Sequence, residues 1–218
     1  LACGQGFFSR AFYEEGAEVI GVDISEELIG LARKNSPKEI KYYISDAHKL
    51  DFIEKESIDK AVIVLAIQNI ENPREVFEEC NRVLEKEGRL FIVMNHPAFR
   101  IPKESGWGWD PDKELEKGMK GVQYRRIDRY LSELKSKIQM HPSSLRGGSG
   151  RANLSDYTIS FHKPLQFYFK ALKKSGFAVI GLEEWVSDKK SEPGPRTIAE
   201  NRARSEFPLF LMLEMRKI

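Results

Sequence analysis

Short apolar runs alternate along this chain with stretches of helical spacing. Phe8, Ala11 and Phe12 fall on one helical face before Gly16, and residues 18–23 then form a short apolar strand that closes on the carboxylate of Asp23. Ser25 stands where a helix cap is wanted, ahead of an apolar stripe of Leu28, Leu31 and Ala32. Residues 40–44 predict a further strand. Residues 58–65 predict another, whose nearly unbroken apolar run suits a strand covered on both faces, as central parallel strands are. A helix is expected from Pro73 to Leu84, with Pro73 suited to its first turn, and a strand follows over 87–94. Strands alternating with helices in this way predict an α/β fold whose strands end at a ligand crevice.

The pattern changes after residue 95. Asn95-His96-Pro97 leaves the sheet, and the stretch to about residue 164 carries Trp107, Trp109, Tyr124, Tyr130 and Tyr157 among many charges and glycines. Regular structure returns with a helix over 163–175, where Leu165, Phe169 and Leu172 have helical spacing, then strands over 178–185 and 208–216. Residues 194–204 lie between these strands and are expected to add to a pocket wall.

Composition narrows the class. The chain has 218 residues, 41% of them apolar, enough for a sizeable core in one enzyme-sized domain. Its 35 basic and 33 acidic residues leave a net charge of +2, which gives no overall pull toward nucleic acid or membrane. No run is long and apolar enough to cross a bilayer and no secretory signal is visible, so the expectation is a cytoplasmic protein. The first residue is not Met, and a segment is expected to precede it. With only Cys3 and Cys80 and no C-x-x-C spacing, neither a disulfide framework nor a metal site is expected.

The candidate chemistry begins at Leu1-Ala2-Cys3-Gly4-Gln5-Gly6. Two glycines two residues apart, between a strand end and a helix, make the kind of turn against which nucleotide-like cofactors lie. A carboxylate at the tip of the next strand, Asp23, suits the two hydroxyls of a ribose. Two cofactor classes fit so far. A dinucleotide fingerprint read from Gly4 wants Gly or Ala where the chain has Ser9, which counts against NAD.

The loop is similar to the D-L-G-C-G-x-G of class I S-adenosylmethionine-dependent methyltransferases, of the type 11/25 kind, with Ala2 in the first glycine place and the leading acid falling before Leu1. Ser45-Asp46-Ala47-His48-Lys49-Leu50 resembles the same family's D-A-x-x-L segment, and the string from Arg82 to Leu90 resembles its R-V-L-K-P-G-G-x-L. These matches come in the family's order. The resemblance implies a Rossmann-like, seven-stranded, mostly parallel sheet with helices on both faces, an antiparallel last strand and a cap inserted after strand five. It implies a cofactor-binding core over 1–95, a substrate-recognition cap over 96–162 and completion of the sheet over 163–218. It also implies S-adenosylmethionine as cofactor, S-adenosylhomocysteine as product, and binding through Ala2, Cys3, Gly4, Gly6, Asp23, Ile24, Asp46, Ala47, Leu65 and Ala66.

For the acceptor, the residues leave choices open. Trp107 and Trp109 are expected in a turn over 106–111, and with Tyr124 and Arg125 they make either an aromatic, cationic substrate pocket or an ordinary packed cap. His96 is the first choice for a general base, ahead of His162 and His141, because its place at the exit of the fifth strand turns it toward the crevice, and imidazole titrates near pH ~6.5. Residues 145–151 read as a loop that opens for substrate. Members of the family that methylate amino groups often carry N/D-P-P-Y/F after strand four, where this chain has Leu65-Ala66-Ile67-Gln68, so a small-molecule O- or C-methyltransferase leads. An RNA or protein methyltransferase, a non-catalytic nucleoside-binding protein and an NAD oxidoreductase remain as alternatives, and the oligomeric state is not readable.

Overall fold

Helix α3, Pro73–Val83, sets the core because its turns carry one apolar stripe. Pro73 occupies the first turn, and Val76, Phe77, Cys80 and Val83 are buried on one face. Val76, Phe77 and Cys80 pack into the main hydrophobic cluster with Ile63, Leu90, Ile92, Met94, Leu172, Leu211 and Leu213, and Val83 packs with Val22, Leu50 and Ile53. The computed structural model describes residues 1–116, 119–139 and 157–218. The expected base His141 and the expected loop over 145–151 lie outside the described residues.

The chain begins with helix α1, Phe7–Glu14, then strand β1, Ile20–Asp23, helix α2, Glu26–Asn35, and strand β2, Lys41–Ile44. The Ser25 hydroxyl accepts from the Leu28 N–H and caps α2, whose first turn carries Glu26 and Glu27 and whose last turn carries Arg33 and Lys34, charges that complement the helix dipole. Strand β3, Ile58–Val64, runs parallel to β4, Leu84–Asn95. After 96 come hairpin strands β5, Ser105–Glu116, and β6, Met119–Ile127, then β7, Leu134–Gln139, paired antiparallel with β8, Tyr157–His162. Helix α4, Leu165–Lys174, strand β9, Phe177–Trp185, helix α5, Thr197–Glu206, and strand β10, Phe210–Lys217, complete the order.

Strands β1 and β2 form one parallel pair, and β3, β4, β10 and β9 form a four-stranded sheet in that order, with β10 antiparallel to both neighbours. The opening residues lie between these two sheets. The Leu1 amino group donates to the Val62 carbonyl at 2.8 Å and the Cys3 N–H to the Val22 carbonyl at 2.9 Å. Asp23, Ile44 and Val64 therefore end on the same side as the loop after Cys3.

Two sequence expectations shift here. The helix expected to reach Leu84 stops at Val83, because β4 begins at Leu84 beside Ile58. The turn expected over 106–111 is instead part of β5, since Trp107 and Trp109 pair in register with Arg125 and Gln123.

Candidate functional site

The loops at these strand ends border a cleft of about 770 Å³. Ala2 comes from the opening loop, Asp23 and Ile24 from the end of β1, and Ser45, Asp46 and Ala47 from the end of β2. Asn69 closes the short 3-10 turn Ile67–Asn69, Ile70 and Glu71 follow it, and Tyr157, Thr158, Ile159 and Phe161 come from β8.

Asp23 ties the first wall together. It is buried, and its Oδ2 accepts from the Gly4 N–H at 2.8 Å while its Oδ1 accepts from the Ser25 N–H at 2.9 Å. Each oxygen has one backbone donor, which leaves lone pairs for hydroxyl donors from the cleft. Gly4 and Gly6 both have left-handed backbones, at φ +55 and +77, but different surroundings. A Cβ on Gly4 would meet nothing within 4 Å, so the loop keeps open space there. A Cβ on Gly6 would collide with the Tyr42 hydroxyl and crowd Ala32, so this position serves the packing of loop on sheet and helix.

Ala2, in a glycine place of the motif, keeps a left-handed φ of +50, and Glu87, in another, keeps φ +64. The geometry of these turns persists without glycine and costs the chain roughly 1–2 kcal/mol at each position.

Asp46 sits on a braced loop. The Leu50 N–H donates to Glu79 Oε1 at 2.8 Å, and the Arg82 guanidinium donates to the Leu50 and Ile53 carbonyls at 2.9 and 3.1 Å. Arg82 also pairs with Glu79 at 2.7 Å, and its hydrogen bond holds the Glu79 carboxyl below the usual range. The arginine of the R-V-L string thus anchors the loop that carries Asp46. Exposed His48 lies with Nδ1 2.7 Å from Asp46 Oδ1.

The second wall hangs on one side chain. Asn69 Nδ2 donates to Thr158 Oγ1 at 3.1 Å and to the Ile159 carbonyl at 3.0 Å, which fixes β8 against the end of β3.

Of the residues expected at the cofactor, Ala2, Asp23, Ile24, Asp46 and Ala47 border the cleft. Cys3, Gly4 and Gly6 form the loop behind it, and Leu65 and Ala66 lie beyond its border at the end of β3, Leu65 with a left-handed φ of +52. Burial pushes the Cys3 thiol up to about 11 and the Cys80 thiol to about 12, so neither is a thiolate nucleophile at neutral pH.

His96 does not border the cleft. Its Nδ1 accepts from the Ala98 N–H at 3.1 Å, so Nε2 carries the proton and donates to Glu184 at 2.9 Å. Burial lowers its pKa against the opposing pull of Glu184, and its one lone pair is engaged. Position at a strand exit predicted access; local backbone folding over 96–98 removed it.

Trp107, Trp109, Tyr124 and Arg125 are not brought to the cleft either. Arg125 donates to the Phe99 carbonyl at 2.7 Å and to Ser105 Oγ at 3.0 Å, and its guanidinium lies 5.0 Å from the Trp107 ring centroid. Trp107 meets Phe207 edge-on at 5.8 Å, and Arg196 lies 4.6 Å from the Trp109 ring centroid. Tyr124 covers Gly108, across the hairpin. These residues join the β5–β6 hairpin to α5 and its flanks, and α5 is the form taken by most of the segment expected to line the pocket.

Sequence reasoning missed Asn69, Ile70 and the wall from Thr158 to Phe161. The alternation of Tyr157, Ile159 and Phe161 with Thr158, Ser160 and His162 is a two-residue period that marks a strand, but nothing local says which loop it covers.

Residues 1–92 match the methyltransferase domain family. The chain is similar to a demethylmenaquinone methyltransferase from Thermotoga maritima, 33% identical over 95 residues that cover 43% of this chain and 41% of that protein. It is similar to a ubiquinone biosynthesis O-methyltransferase from Idiomarina loihiensis, 28% identical over 95 residues, 42% of this chain and 39% of that one. The match thus spans less than half the length of these curated relatives. Over the whole chain, an S-adenosylmethionine-dependent methyltransferase from Mesorhizobium loti superposes with a TM-score of 0.71 at 25% identity, covering 99% of this chain and 88% of that one.

Proposed function

Since this chain belongs, through residues 1–92, to the methyltransferase domain family and has the class I fold of its S-adenosylmethionine-dependent members, we propose that it methylates a small molecule at oxygen or carbon. The observation that carries this reading is the cleft that joins Ala2, Asp23, Asp46 and Ala47 at the strand ends. Its volume of about 770 Å³ is in the range of small-ligand sites. The residues fit S-adenosylmethionine: open space at Gly4 admits a ligand against backbone, and buried Asp23 has lone pairs to spare.

In this reading Asp23 accepts from the ribose hydroxyls, with Ile24 beside the sugar. Asp46 accepts from the adenine amino group, and the Ala47 N–H donates to the ring. The loop of Ala2, Cys3, Gly4 and Gly6 receives the methionine end, and Leu65 and Ala66 close the site at β3. When bound, the cofactor supplies an activated methyl group on a sulfonium, so the protein's task is to hold the acceptor atom in line and take its proton. Residues 1–95 serve as the cofactor core, 96–162 as the cap and 163–218 as completion of a seven-strand sheet in which the opening residues are the strand between β1 and β3. Because Arg125 and the Trp107 ring are engaged inside the hairpin, a small acceptor is favoured over RNA or protein.

Calorimetry tests the cofactor. S-adenosylhomocysteine is expected to bind and NAD not to, and Asp23→Ala is expected to weaken binding by about ten- to a hundredfold. Binding of NAD alone would refute the proposal, and an unchanged affinity in Asp23→Ala would remove that carboxylate from the site.

A further inference from the structure

Charge is distributed unevenly around the cleft. Among the described residues, the charged side chains that border it are all acids: Asp23 and Asp46 at the strand ends and Glu71 after the 3-10 turn. Cations reach the same side from β7. In the antiparallel ladder Lys135 stands opposite Phe161 and Lys137 opposite Ile159, and residues directly opposite each other share one face of the sheet. Phe161 and Ile159 border the cleft, so both lysines stand on the face turned toward it, one strand further out. The ring contacts agree with that placement. Lys135 Nζ lies 5.1 Å from the centroid of the Phe161 ring, and Lys137 Nζ lies 4.5 Å from that of Tyr157, which also borders the cleft.

The two lysines differ in how their charge is met. Lys135 Nζ lies 3.2 Å from Glu71 Oε1, so an acid of the cleft offsets it. Lys137 is exposed and has no acidic partner among the described residues; the Tyr157 ring attracts its ammonium but leaves the charge in place. The β7 rim thus keeps one positive charge that is not offset, outside a cleft bordered by acids. Such a gradient orients a ligand with its anionic end outward. A single ammonium matches a monoanion better than a dianion, which favours a carboxylate over a phosphate monoester.

We infer that Lys137, with Lys135 beside it, holds a carboxylate carried by the acceptor at the end remote from the methylated atom. The inference rests on the methyltransferase reading and names the acceptor's class: a small molecule whose apolar body lies against Tyr157, Ile159 and Phe161 and whose carboxylate stays at the rim. Lys137 selects and orients this molecule and takes no part in methyl transfer. Glu71 works against it, because it competes with the ligand for Lys135 and repels a second carboxylate.

The probes are 4-phenylbutyrate and its neutral amide, titrated into protein saturated with S-adenosylhomocysteine and followed by the backbone amide signals of residues 157–161. The carboxylate is expected to bind about fivefold more tightly than the amide, the scale of one exposed ion pair. Added salt should erase the difference. Lys137→Met should bring the ratio of the two affinities to about one, Lys137→Arg should keep it, and Glu71→Gln should raise it. A merely structural role for Lys137 would weaken both probes alike and leave the ratio unmoved. Equal binding or no binding of the two probes by the parent protein, an unchanged ratio in Lys137→Met, or a lower one in Glu71→Gln overturns the inference. Failure of the parent protein to bind S-adenosylhomocysteine would instead overturn the reading beneath it.

Discussion

The two walls of the cleft are built on different principles. The first is gathered at strand ends: the Asp23 carboxylate accepts from the backbone N–H groups of Gly4 and Ser25, with Gly6 pressed on Tyr42 behind it. The second is held by side chains across long sequence gaps, with Asn69 reaching a carbonyl 90 positions away and His162 one 32 positions back. The difference separates duties. A wall closed at the strand ends is stiff, whereas a wall tied by one side chain across a long sequence gap is free to vary.

The histidines sharpen the contrast. His96, on the sheet side, has both nitrogens engaged, and His162, on the β8 side, has one nitrogen anchored and one lone pair without a partner among the described residues. Both have pKa values lowered by burial, so charge does not distinguish them; hydrogen-bond geometry does.

The comparison breaks most severely at Gly6. Gly6→Ala combines a left-handed φ with a collision against Tyr42, and urea denaturation is expected to show a loss of about 3 kcal/mol. Gly4→Ala, with open space around it, should cost only about 1–2 kcal/mol of folding, so similar losses in the two variants would end the distinction drawn between these glycines. Asn69→Ala should free the second wall at a cost of about 1–2 kcal/mol and leave S-adenosylhomocysteine affinity within about threefold of the parent. A large loss of that affinity would show that the walls are not separable. The smallest effect is expected at Glu87, where replacement by Gly should stabilise the chain by about 1 kcal/mol by relieving φ +64, again read from the urea midpoint. A decrease would mean that the side chain, which pairs with Arg216 at 3.3 Å, outweighs the strain.

The first wall is legible in the sequence because its information is local. A glycine turn, a strand with period-two or continuous apolar character, and a carboxylate at its tip are each set by a few neighbouring residues, so Ala2, Asp23 and Asp46 lie at the cleft as the strand and turn pattern predicts. The acceptor side is not legible in this way. Trp107 and Arg125 announce an aromatic, cationic patch, but the pairing of β5 with β6 and the docking of α5 turn that patch against Phe207 and the Phe99 carbonyl.

By itself the sequence determined the order of strands and helices over residues 7–95, the glycine loop and the acids at the strand ends beside it, since hydrophobic period and turn chemistry act over a few residues. Tertiary structure alone decided which histidine has both nitrogens engaged among the described residues and which strand covers the cleft. Those outcomes depend on hydrogen bonds between residues far apart in the chain, such as Asn69 with Ile159, and no local pattern encodes the partner.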